Sequence, residues 1–266
     1  MNLIKVGIAG IPLAKKGKGM EAGIQYLFNI GLDAMEVQFT RGIFMDSVAA
    51  KKVGQLAKKL GIKLSVHAPY YVNLASTKKK IIEKSKQFII NSAKIASKMG
   101  ATIVVFHAAY YLNDTNDTFA LVRDACEVVG NEISDDVRLG IETTGRQKQF
   151  GTLDEIARLM TDVDKIIPVL DFAHIHARGN GSLRRKEDFI AVFDKFDQTK
   201  FHIHFTGVEY SNGNEKKHIP LNDELNFRHL AEVLVKREYD ATVICESPLL
   251  ERDALKMKEI IVDVQG

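Results

Sequence analysis

Short apolar, β-branched runs alternate along the whole chain with longer stretches in which apolar residues recur every three or four positions. The runs near 4–9, 34–39, 62–67, 102–107, 138–142, 166–171, 200–205 and 242–246 predict strands. Thr102-Ile103-Val104-Val105-Phe106 has the unbroken apolar character of a parallel strand covered on both faces. The longer stretches near 20–30, 46–60, 77–99, 115–133, 152–162, 185–197, 222–237 and 251–263 predict helices. Gly31, Gly61 and Gly100 each stand between a helix and a strand, where a helix-ending glycine belongs. Eight such units are the count for an α/β fold closed as a (β/α)8 barrel. An open doubly wound sheet would show Gly-x-Gly-x-x-Gly after the first strand, and Ala9-Gly10-Ile11-Pro12 lacks it. With no linker or shift of composition in view, residues 1–266 read as a single domain.

Composition narrows the picture only a little. A net charge of +3 over 266 residues does not by itself imply a polyanionic partner. Cys126 and Cys245 lie in apolar surroundings without C-x-x-C spacing, which predicts two buried thiols in a reducing compartment and no thiolate zinc site. The N-terminal apolar run is too short for a cleavable signal, and no run has the length of a membrane span, so the expected location is the cytoplasm, away from membranes.

The chemistry sits at the C-terminal tips of the strands, the face on which such barrels carry function. His67, His107, Glu142, Asp171, His204 and Glu246 each end a predicted strand, and His174 follows Asp171 by three. Imidazoles and carboxylates without thiolates predict zinc or manganese. Glu142 and Glu246 end apolar strands, where an unpaired carboxylate is costly and a cation relieves the cost. Of His202 and His204, one is expected to point into the barrel and the other toward the helices, with His204 in the site. His176 is open between support of the site and structure, and His229, on a polar helix face, is expected at the surface.

The segments His67-Ala68-Pro69-Tyr70-Tyr71-Val72-Asn73-Leu74-Ala75-Ser76, Asp171-Phe172-Ala173-His174 and Glu246-Ser247-Pro248 resemble endonuclease IV, the zinc-dependent DNA repair nuclease family. That family belongs to the xylose isomerase-like TIM barrels, and the resemblance looks closest to its archaeal branch. It implies three zinc ions. His67, His107 and Glu142 would hold one, and Glu142 would bridge to a second held by Asp171, His204 and Glu246. His174 and His218 would belong to the third. The family has an Asp where this chain has Lys216, and a lysine cannot ligate, so the third ion is expected only where Glu215 or His176 substitutes. The family's His-x-Asn-Asp is altered too, to His204-Phe205-Thr206-Gly207. With two ions in place, the resemblance implies hydrolysis of the DNA backbone 5′ to an abasic site, with Glu142 and Glu246 as the catalytic carboxylates.

Several basic and aromatic residues fit a DNA partner. Lys15, Lys16, Lys78, Lys216 and Lys217 fall in β-to-α segments, on the expected face of the metals. Lysine at a helix N-terminus opposes the helix dipole, so Lys78 does not serve helix stability. Tyr70 and Tyr71 follow His67 in a loop that, as the resemblance implies, enters the base stack, or else packs against the barrel rim, and Arg41 is a candidate for the minor groove. Lys51-Lys52 and Lys58-Lys59 read as solvated helix surface. The main rival is a sugar isomerase or epimerase, which the resemblance to the wider superfamily allows: one metal on Glu142, Asp171, His204 and Glu246, with the two glutamates shuttling a proton. A metal-bound but catalytically idle DNA-binding protein is the third reading.

Overall fold

The computed structural model describes residues 3–113 and 115–266. Its principal strands are β1 (Ile4–Ala9), β2 (Ala34–Gln38), β3 (Lys63–His67), β4 (Ile103–Phe106), β5 (Arg138–Glu142), β6 (Ile166–Asp171), β7 (Lys200–Phe205) and β8 (Asp240–Cys245). They form the expected closed barrel, each beside its sequence neighbours and β8 beside β1. Nearly every interior strand position is buried, because helices cover one face and barrel-filling side chains the other.

Backbone proximity divides the chain into two compact units. One is the chain through Met35 with Gly145–Gln147 and Leu170–Gly266; the other is Glu36–Thr144 with Lys148–Val169. Both main cuts fall inside strands, β2 and β6.

In the first unit β8 lies between β1 and β7, with Val243 level with Val6 and Ile203. An aromatic layer backs these strands: Phe172 stacks on Phe189 at 5.3 Å, Phe193 meets Phe201 at 4.8 Å, and Phe205 meets Phe227 at 4.9 Å. Burying each such ring contributes about 1.5–3 kcal/mol.

In the second unit β4 pairs with β3 and β5, and β5 pairs with β6, which sets Glu142 level with Val169. Asp46 caps helix Ser47–Leu60 by accepting from the Val48 and Ala49 N–H groups, a contribution of about 1 kcal/mol. Gly61 and Gly100 end their helices with φ of 70° and 74°, as the spacing predicted.

Three departures from the sequence reading bear on function. A seven-residue helix, Phe172–Arg178, begins directly at the tip of β6. A β-hairpin, Gly207–Ser211 with Asn214–Ile219, follows β7. The helix expected at 222–237 is Phe227–Lys236, because Asn226 caps it by accepting from the Arg228 N–H.

Candidate metal centre

At the tips of β3, β4 and β5, two imidazoles converge on one carboxylate oxygen. His67 Nε2 lies 3.1 Å and His107 Nε2 2.9 Å from Glu142 Oε2. The His67 Nδ1–H donates to the Ala68 carbonyl at 2.7 Å, which leaves Nε2 as the lone-pair nitrogen of the neutral ring. A lone pair facing a buried carboxylate needs a proton or a cation between them. Their donor atoms all lie within 4.8 Å of one another, so the three can share an ion.

A second gathering occupies the first unit. Asp171, fully buried, accepts from the His174 N–H at 2.7 Å through Oδ1 and so starts the short helix. That turn aims His174 back at the strand tips: its Nδ1 is 3.5 Å from Asp171 Oδ2 and its Nε2 3.4 Å from Glu215 Oε2. Glu215 Oε1 lies 3.5 Å from His218 Nε2, and His218 Nδ1 lies 3.6 Å from Glu246 Oε2. His204 Nδ1 is 3.6 Å from Glu246 Oε1. These separations are long for hydrogen bonds. Two donors held about 2.0–2.2 Å from one tetrahedral ion are about 3.3–3.6 Å apart, and one donor atom from each of Asp171, His174 and His218 lies within 4.8 Å of the others, close enough to share such an ion. On this observation the residues fit divalent metal. Burial opposes the charge on Glu215, but the imidazoles of His174 and His218, with the Arg146 guanidinium, outweigh it and hold this carboxyl down at about 2.

The hairpin explains how Glu215 comes to stand there. Its turn is Asn212-Gly213, both at positive φ (52° and 70°), the backbone of a type I′ turn. Tyr210 lies opposite Glu215 and Glu209 opposite Lys217, so Lys216 is the extra residue of a β-bulge. The bulge shifts the alternation by one position. Glu215 and His218, which would take opposite faces of a regular strand, face the same way. Glu215 therefore stands beside His174 and His218, where Lys216 offers no carboxylate, while Asp171 is the carboxylate whose donor atom lies within 4.8 Å of one on each imidazole. The asparagine-glycine pair was the available sequence signal for this hairpin.

Three histidines depart from or settle the sequence reading. His202 and His204 do not diverge: two residues apart on a strand they share a face, their rings are 5.5 Å apart, and both are buried. His176 is structural: its Nδ1 accepts from the Leu183 N–H at 3.1 Å, and its ring packs edge-on against Tyr210 of the hairpin. Burial lowers its pKa, against the pull of Glu224. His229 is half-buried rather than exposed, with its ring 6.2 Å from Phe189.

A family model described as a xylose isomerase-like TIM barrel matches residues 24–261. The chain belongs to this family. It is 33% identical over 261 residues to an uncharacterized protein of Methanocaldococcus jannaschii, covering 94% of this chain and 93% of that one. It is 28% identical over 170 residues to a probable endonuclease 4 of Staphylococcus saprophyticus, covering 60% of this chain and 56% of that relative's length. Among solved structures, endonuclease IV from Thermus thermophilus superposes with a TM-score of 0.77 at 20% identity over 98% of both chains. D-psicose 3-epimerase from Clostridium cellulolyticum gives 0.68 at 14% identity, over 98% of this chain and 95% of that one. Both structures show the shared fold.

In this xylose isomerase-like barrel the loop after β3 carries an exposed aromatic pair. Tyr70 and Tyr71 are each 53% exposed with rings 4.7 Å apart, and the neighbouring Tyr70 hydroxyl raises the Arg41 pKa. The Tyr71 hydroxyl and then the Arg41 guanidinium lower the Tyr70 pKa, while Tyr70 raises that of Tyr71. The basic candidates differ among themselves. Lys15 lies over the Tyr26 ring at 5.2 Å, and Lys217 pairs with Glu209 at 3.0 Å. Lys16, Lys78 and Lys216 are exposed. Cys126 and Cys245 are buried, their thiols pushed up to about 12 by burial, so neither offers a ready thiolate.

Proposed function

We propose that this protein is a divalent-metal-dependent phosphodiesterase that cuts the backbone of damaged duplex DNA 5′ to an abasic site. The observation that carries the reading is the convergence of His67 and His107 on Glu142 Oε2. A one-metal epimerase centred on Glu142, Asp171, His204 and Glu246 has no task for these two imidazoles. A nuclease with more than one metal needs them for its first ion.

In this reading His67, His107 and Glu142 hold one ion. Asp171, His204 and Glu246 would hold a second, a donor set of mixed nitrogen and oxygen type. His174, His218 and Glu215 hold a third. Zinc suits these donors best and manganese is accepted. Bound there, such ions supply Lewis acidity toward phosphoryl oxygens and a nucleophile at neutral pH. The side chains do the rest. Glu142 and Glu246 keep the centre negative enough to retain cations and can take a proton from the attacking water. Lys16, Lys78 and Lys216 offer point charges to backbone phosphates. The Arg41-Tyr70-Tyr71 cluster forms an exposed plate that would stack in the space left by a displaced nucleotide. In this reading the chain acts as one domain and works in the cytoplasm.

The test is incision of a duplex carrying an abasic analogue, with zinc or manganese added. The expected product is a nick 5′ to the lesion with a 3′-hydroxyl. An intact duplex, together with epimerisation of a ketose by the same sample, would overturn the proposal in favour of the epimerase reading.

A further inference from the structure

Between residues 47 and 100 the chain carries twelve lysines and a single acidic residue, Glu83, in a protein whose overall charge is only +3. The remainder of the chain is therefore net acidic. Most of these lysines lie on two adjacent helices, Ser47–Leu60 and Lys79–Met99. The first has no carboxylate at all, and in the second Glu83 is paired with Lys86 at 2.6 Å. Solubilising surfaces intersperse both signs, and this one does not.

The two helices also concentrate the charge. Gly54 has no side chain, and a Cβ there would collide with the Met99 carbonyl, so the helices touch backbone to backbone at this point. The close approach makes a groove of about 480 Å³ whose rim carries Lys51, Lys58 and Lys98, with Gln55 and Ser97 between them. Lys51, Gln55 and Lys58 are spaced to share one helix face, and all three lysines are exposed. Lys63, where β3 begins, also lines the groove. It is thus at the N-terminal end of that strand, away from the tip that carries His67.

We propose that this lysine face is a sequence-independent binding surface for the phosphate backbone of a nucleic acid duplex. Point charges without carboxylates to orient them, and without an aromatic anchor among the groove residues, suit repeated phosphates and counterion release rather than base reading. A protein partner would call for aromatic and arginine anchors at the centre of the contact, and the groove residues include neither, their apolar members Ile62, Leu64 and Met99 being largely buried beneath the lysines. The surface is independent of the metal chemistry proposed above. It would hold undamaged duplex near the barrel whether or not the chain cuts it.

The test is binding of the full chain to an undamaged duplex of about 30 base pairs, followed against salt. Two triple variants are compared: Lys51→Gln/Lys58→Gln/Lys98→Gln and Lys51→Glu/Lys58→Glu/Lys98→Glu. The expected result is a salt slope lower by about 2–3 in the glutamine variant, from roughly 0.9 per lost phosphate contact. Affinity should fall at least tenfold, and further in the glutamate variant, with the melting temperature of both kept. An unchanged slope and affinity would overturn the proposal, as would failure of the wild-type chain to bind duplex at low salt. Loss of binding to poly-glutamate with duplex binding intact would also overturn it and assign the face to an acidic protein. Because the readout is binding to undamaged DNA, failure of abasic-site incision leaves it unaffected.

Discussion

Gly145 faces Glu215 so closely that a Cβ at position 145 would lie 2.8 Å from the Glu215 Cβ and 2.9 Å from His174 Cδ2. The glycine therefore sets how near the hairpin carboxylate can come to the imidazole on the short helix. Gly145→Ala should push these two groups apart without disturbing the barrel strands. The expected outcome is a metal content lower by one ion per chain and a melting temperature within a few degrees of wild type. Elemental analysis and a thermal scan of the same preparation check it; an unchanged metal content would show that the close approach has no bearing on ligation.

His67→Ala removes one of the two imidazoles on Glu142 Oε2. Loss of an outer-shell partner alone costs about 10–100-fold in metal affinity or activity, so loss of a ligand should cost more than 100-fold in incision. An epimerase activity, which does not draw on this imidazole, should survive. Measuring both activities on one preparation separates the readings. Equal damage to both would count against a distinct role for His67.

Ions that bind only the folded chain should also stabilise it. At a free metal concentration 100 times the dissociation constant the gain is about 2.7 kcal/mol. For a chain of this size that corresponds to about 5–10 °C. A melting temperature that falls on dialysis against a chelator and recovers with zinc is the expected result. No shift in either direction would remove the metal reading altogether.

Asp253 holds together the segment that follows Glu246. It accepts from Ser247 Oγ at 2.5 Å and from the Leu221 N–H at 3.0 Å, and pairs with Lys256 at 2.8 Å. Burial alone would raise its pKa, but Lys256, Ser247 and the Leu221 N–H together lower it. A carboxyl lowered on folding stabilises the protein above its unfolded pKa, and that stability is lost as the pH falls through the folded value. Asp253→Asn should cost about 1–3 kcal/mol at neutral pH. The gap from wild type should narrow as the pH drops below the ordinary aspartate range. Urea titrations at several pH values read this directly, and a gap that widens on acidification would contradict it.

The barrel was legible because unbroken apolar runs such as 102–106 alternate with stretches of helical period, and because glycines such as Gly61 and Gly100 mark where helices end. His67, Glu142 and Asp171 were legible for the same reason: each is a polar residue closing an apolar run. Two features were less legible. Asp171 both ends β6 and caps the next helix, so no loop residues announce the Phe172–Arg178 turn that aims His174. The bulge at Lys216 shifts strand phase by one residue, which a period-2 reading of the chain cannot register. His202 was misjudged for a simpler reason, since residues two apart on a strand share a face.

The bulge yields the sharpest contrast between reading by position and reading by geometry. By position, Lys216 stands where the endonuclease IV-like pattern has an aspartate, and Lys216→Asp would be expected to restore a lost ligand. By geometry, residue 216 is the unpaired member of the bulge, and Glu215 already lies 3.4 Å from His174 and 3.5 Å from His218. Lys216→Asp should therefore leave the metal content unchanged, and should weaken DNA binding modestly by removing a point charge. Glu215→Ala should lower the metal content by one ion and reduce incision, while His67, His107 and Glu142 keep theirs. If Lys216→Asp instead raises the content by an ion while Glu215→Ala leaves it alone, the carboxylate of Glu215 is not a ligand, and the hairpin serves only to close the site.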